Sequence, residues 1–170
     1  MTAVLYPAIE EVADAIEAEP GRYDQEDWAS FQVDGNRRRR ITTPTDQPPD
    51  CGTAYCIGGW RLILSGWTTR PVPLGYLDGR MEWGVEFTTP AGRATSRYIG
   101  DIAAHLLGYP SRGTIDRIFD IDWHPRPGLT VPQALRILAR GGTYTEITYR
   151  HNQDEEQCPK LLARYGLGPG

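Results

Sequence analysis

Gly58 and Gly59 stand side by side in a stretch that otherwise reads as a helix, and they constrain the fold more than any other feature. Each glycine inside a helix costs about 1 kcal/mol relative to alanine. Keeping both implies that another backbone, or a large ring, approaches closely at that point. The stretch runs from Thr53 to Ser65. Cys56, Trp60, Ile63 and Trp67 recur along it at helical spacing and define one face. Thr53 is placed to cap this helix and Gly66 to end it.

The same reasoning places further short helices. Ile9, Val12, Ala13 and Ile16 give an amphipathic stripe over Pro7 to Ala18, stopped by Pro20-Gly21. Tyr23, Trp28 and Phe31 form an aromatic segment suited to packing on the core. Ile99, Ile102, Ala103, Leu106 and Leu107 form a stripe ending at Gly108, and Ile115, Ile118 and Phe119 a shorter one before Trp123. Thr130, Pro132 and Gly141 bracket a helix that buries Ala134, Leu135 and Leu138. Pro159 to Tyr165 adds a last helical turn or two, and a Gly/Pro tail covers about 166–170.

Between the helices, residues Leu74 to Thr95 read as a β-meander. Asp78-Gly79 is a type I′ hairpin signal, and a second turn falls at Pro90-Ala91-Gly92-Arg93. Residues 34–50 are polar, contain Arg37-Arg38-Arg39-Arg40, and read as a mobile surface loop. The expected class is α+β in a single domain over 1–170: mostly short helices with one small antiparallel β-meander. Ile9, Val12, Ile16, Trp60, Ile63, Ile102, Leu106, Phe119, Leu135 and Leu138 are the expected core.

Charge and composition exclude several classes. The acidic start, with Glu10, Glu11, Asp14, Glu17 and Glu19, is unlike a signal peptide. The longest apolar run is Leu62-Ile63-Leu64, so no membrane partner is expected. Three cysteines, an odd number, fit a reducing compartment, and a cytoplasmic location in a bacterial host is expected. A net charge of −4 gives no global attraction to polyanions. Lys160 is the sole lysine against seventeen arginines, a bias that reads as a high-GC genome.

The sharpest motif is Cys51-Gly52-Thr53-Ala54-Tyr55-Cys56-Ile57-Gly58-Gly59-Trp60, or C-G-T-x-x-C-x-x-G-W. With a helix starting at Thr53, Cys51 sits at its positive end, where a thiolate is stabilised. Four readings of the cysteines stand open. Cys56 is a small buried hydrophobe and Cys51 part of a tight turn. Cys51, Cys56 and Cys158 bind zinc with His105, His124 or His151. Cys51 is a nucleophile with a histidine base, His124 beside Asp122 being the candidate cluster. Or Cys51 and Cys56 form a redox pair. No Cys-phosphatase arginine, P-loop, dinucleotide fingerprint, H-E-x-x-H or zinc-deaminase pattern is present.

This motif resembles that of a family of small actinobacterial and actinophage proteins of uncharacterised activity. Other pieces correspond loosely: the acidic helix Ile9 to Ile16, Tyr23-Asp24-Gln25 with Trp28, Leu107-Gly108, Ile118-Phe119 and Trp123. His124 between Trp123 and Pro125 departs from the family's Trp-Pro. The resemblance implies an accessory gene of a phage or mobile element and implies no reaction or cofactor.

The expected function is therefore binding of a host or phage macromolecule, most simply a protein, with Trp60 a candidate anchor. A cysteine- or metal-dependent hydrolase centred on Cys51 is the alternative. A nucleic-acid binder gripping phosphates through Arg37, Arg38, Arg39 and Arg40 is the other.

Overall fold

The structure is a computed structural model that describes residues 3–25, 27–33, 36–38, 40–44, 47, 52–95, 99–120, 123–148 and 158–168, and statements below concern those residues. The first helix, α1 (Pro7–Ala18), has the bounds its apolar stripe dictates, with Ile9, Val12, Ala13 and Ile16 buried. A 3-10 turn (Pro20–Arg22) leads into four short strands, β1 (Ala29–Val33), β2 (Asn36–Arg38), β3 (Ile41–Thr43) and β4 (Gly52–Tyr55). Then come α2 (Ile57–Leu64), the hairpin β5 (Thr68–Leu77) and β6 (Arg80–Thr88), and the two-residue β7 (Ala94–Thr95). The rest is helical: α3 (Ile99–Leu107), α4 (Arg112–Ile118), α5 (Val131–Ala139), α6 (Tyr144–Ile147) and α7 (Cys158–Arg164). The fold is α+β, and none of these helices is long and apolar enough to cross a membrane.

Two antiparallel sheets replace the single expected meander. The first has the order β2-β1-β4 and the second β3-β6-β5, with β7 also on β6. Positions 36–38 and 41–43 are thus strands within the stretch expected to be loop. Their three-residue lengths leave no legible alternation; β2 pairs locally with β1, whereas the partner of β3 is remote, with Ile41 facing Trp83 and Thr43 facing Met81. The turn of the β5–β6 hairpin is as expected, although β5 begins at Thr68, six residues before the expected Leu74. Asp78 and Gly79 take φ of 50° and 75°, the paired positive values of a type I′ turn.

The start of α2 also moves. Thr53 pairs with Phe31, and Tyr55 with Ala29, so the segment expected to begin the helix is strand. Cys56 becomes the cap, its Sγ accepting the Gly59 N–H at 3.4 Å. The buried surface of α2 shifts accordingly, with Leu62 fully buried and Ile63 only half-buried.

One hydrophobic cluster joins the helices to the sheets. It contains the expected Ile9, Val12, Ile16, Trp60, Leu135 and Leu138, with Ile63, Ile102, Leu106 and Phe119 half-buried against it. Helix α5 starts on a full capping box: Thr130 accepts the Gln133 N–H, and Gln133 accepts the Thr130 N–H. Arg136 and Arg140 reach from α5 to α1, the first to Asp14 and Glu17 and the second to Glu10.

Glu146 ties α6 to the C-terminal helix. Its carboxylate accepts the Thr143 N–H at 2.8 Å, the Tyr165 hydroxyl at 3.1 Å and Arg164 Nη1 at 2.9 Å. Partial burial opposes its charge, but the bonds from Thr143 and Tyr165, with the Arg164 charge, outweigh it and hold the carboxyl below the ordinary range. A depressed carboxylate stabilises the fold above its unfolded pKa, and that stability is lost as pH falls through the folded value. Glu146→Gln is therefore expected to lower Tm at neutral pH. The gap from the parent should close as pH falls below the ordinary carboxylate range. Thermal unfolding of both proteins across this range checks it; a gap that is constant with pH would show that the charge is irrelevant.

Candidate binding cleft

The two glycines of α2 receive the ring that their presence implies. A Cβ added at Gly58 would overlap Cζ3 of the Trp28 indole and lie 2.9 Å from its Cη2. At Gly59 a Cβ would collide with the main-chain carbonyl oxygen of Trp28 and come to 3.1 Å from Tyr55 Cβ. The far side of the ring meets α3, where a Cβ at Gly100 would touch it at 3.6 Å. Phe119 closes the seat edge-on, with ring centroids 5.3 Å apart at 73°. Trp28 is thus held between two helices at positions where neither presents a side chain.

The seated ring remains half-buried because its open side looks onto a cleft of about 600 Å³. Val72 and Leu74 of β5 and Ile99 of α3 supply the other apolar walls, and Gly84 of β6 lies at the base. A side chain at position 84 would press on Leu74, whose Cδ1 lies 3.1 Å from where its Cβ would be. The charges lining the cleft are mixed: Asp27, Glu86 and Asp101 against Arg40 and Arg112. Arg112 bonds Asp101 at 2.8 Å, Glu86 accepts from Arg70 at 2.9 Å, and Arg40 stands 3.7 Å from Glu82. These are solvent-screened pairs that shape the rim more than they stabilise the fold.

Leu74 continues out of the cleft into an exposed apolar stretch. Leu74, Tyr76 and Leu77 are 47%, 65% and 52% exposed, at the end of the hairpin farthest from the core cluster. Pro71 and Pro73 in the same strand have no N–H to offer a further strand, so contact here falls to side chains.

The residues singled out from sequence are distributed as follows. Trp60 is 3% exposed and meets Tyr55 edge-on, so it is a core ring and not a surface anchor. Cys56 is buried, and desolvation pushes its thiol up to about 11 despite the N–H groups of Gly59 and Gly58. Cys158 is also buried and donates its S–H to the Pro127 carbonyl at 3.0 Å. His105 and His124 are exposed. No group of three or more His, Cys, Asp or Glu side chains among the described residues is placed to hold a metal ion.

Cys51, Asp122 and His151 lie outside the described residues, as does Arg39. The helix start that would have activated Cys51 is not at Thr53 but at Ile57, so that argument for a reactive thiolate falls away. Arg37 and Arg38 belong to β2, and Arg40 lines the cleft. The cleft was not anticipated, because its walls come from segments around positions 28, 40, 72, 86, 99 and 112. The paired glycines were the one sequence signal pointing toward it.

Comparison of the chain with protein-family models, curated proteins and solved structures finds no match.

The environment of Cys56 gives a direct expectation. A thiol at about 11 in the fold and near 9 when unfolded favours the folded state below pH 9, and that contribution disappears as pH rises towards 11. Cys56 should therefore resist a disulfide reagent at pH 7.5 until the protein unfolds. Cys56→Ala should remove part of the alkaline loss of stability between these two values. Labelling at the rate of a free thiol in the folded protein would contradict the burial.

Proposed function

We propose that this chain is a non-enzymatic protein-binding module, and that its partner docks on the Trp28 cleft and the adjoining end of the β5–β6 hairpin. One observation carries the reading: Leu74 lines the cleft and is itself exposed, and exposed Tyr76 and Leu77 lie two and three positions further along the same strand. Exposed aromatic and aliphatic side chains beside a concave apolar wall suit a protein contact. The charges argue in the same direction. Among the described residues, three of the five charged side chains lining the cleft are carboxylates, a mixture that suits a polypeptide carrying both signs better than a phosphate backbone. In keeping with the family resemblance, the partner is proposed to be a host or phage protein met in the bacterial cytoplasm.

The test compares the immobilised chain with its Leu74→Ser/Tyr76→Ser variant in nuclease-treated lysate of an actinobacterial host. Circular dichroism and Tm first establish that the variant is folded. The reading expects a protein retained by the parent and depleted at least tenfold on the variant. Equal retention on both would remove the cleft and hairpin from the interface. A parallel arm in untreated lysate completes the test: retention seen there and lost on nuclease treatment would favour the arginine segment and a nucleic acid.

A further inference from the structure

We draw no further inference here: the strongest candidate, the apolar cleft between Trp28, α3 and the β5–β6 hairpin, belongs to the site already described, and nothing in the structure shows which partner segment covers it.

Discussion

Replacing Gly59 with alanine is expected to destabilise the fold by up to about 2 kcal/mol net, although the substitution improves helix propensity. Two opposing effects decide the sign. Alanine in place of glycine in a helix interior gains about 1 kcal/mol. Against this, the new methyl collides with the Trp28 carbonyl oxygen and crowds Tyr55 Cβ at 3.1 Å. Both obstacles are close to the main chain. Tyr55 is fixed in β4 by its pairing with Ala29, which directly follows Trp28. Neither can rotate aside as the end of a flexible side chain would, so relief requires α2 to move away from the sheet. Overpacking of this kind costs roughly 1–3 kcal/mol and occasionally more. For a chain of this size each kcal/mol lowers Tm by about 2–4 °C. A fall of up to about 8 °C in thermal unfolding is the expected result; a rise would mean that propensity wins and that the seat is loose.

Trp28→Ala is expected to cost about 2–4 kcal/mol, somewhat below the figure for a fully buried tryptophan because one side of the ring faces the cleft. The loss has a clear origin. Gly58 and Gly100 have no side chains that could move into the vacated space, and the edge-on contact with Phe119 disappears as well. The cavity would therefore persist, and the cleft would deepen. If a partner uses this surface, its binding should weaken in the same variant, whereas Gly59→Ala should affect stability first. Denaturant titration gives the stability change. An effect below about 1 kcal/mol would mean that the indole contributes little to the packing.

How far the sequence led to this arrangement can be read residue by residue. Helix α1 was legible because a twelve-residue apolar stripe begins at a proline and ends before Pro20-Gly21, leaving few alternatives. The type I′ turn was legible because Asp-Gly is one of the few pairs that tolerates two positive φ values. The need for a ring against Gly58 and Gly59 was legible too, since two glycines in a helix are costly unless something occupies their place. The strand Gly52–Tyr55 was not. Thr53 and Cys56 can each cap a helix, and only the pairing of Thr53 with Phe31, twenty-two positions away, decides between them. Shortness hid β2 and β3, whose alternation is too brief to read, and α6, which is four residues long. The cleft lay beyond reach for a further reason. A concave surface is a property of how distant segments meet, and no local pattern encodes it.

The cysteines show what that difference in helix start changes. With the helix at Thr53, Cys51 was the chemically interesting residue and Cys56 an ordinary core position. With the helix at Ile57, Cys56 caps it, bonded to the Gly59 N–H and kept protonated by burial. The motif then reads as a structural device. Cys56 starts the helix, Gly58 and Gly59 admit Trp28, and Trp60 fills the core against Tyr55.

The most direct measurement of this claim is a double-mutant cycle between Gly58→Ala and Trp28→Ala. The three atoms nearest a methyl at position 58 all belong to the indole ring, so its cost should depend on that ring being present. In the parent, Gly58→Ala should destabilise by about 1–3 kcal/mol. In the Trp28→Ala background the same change should become neutral or stabilise by up to about 1 kcal/mol, the ordinary helical preference for alanine. The predicted coupling energy is thus about 1–4 kcal/mol, above the 0.3–0.5 kcal/mol scatter of roughly independent sites. Additive effects within that scatter would contradict the account and show that the glycines of the motif do not seat Trp28.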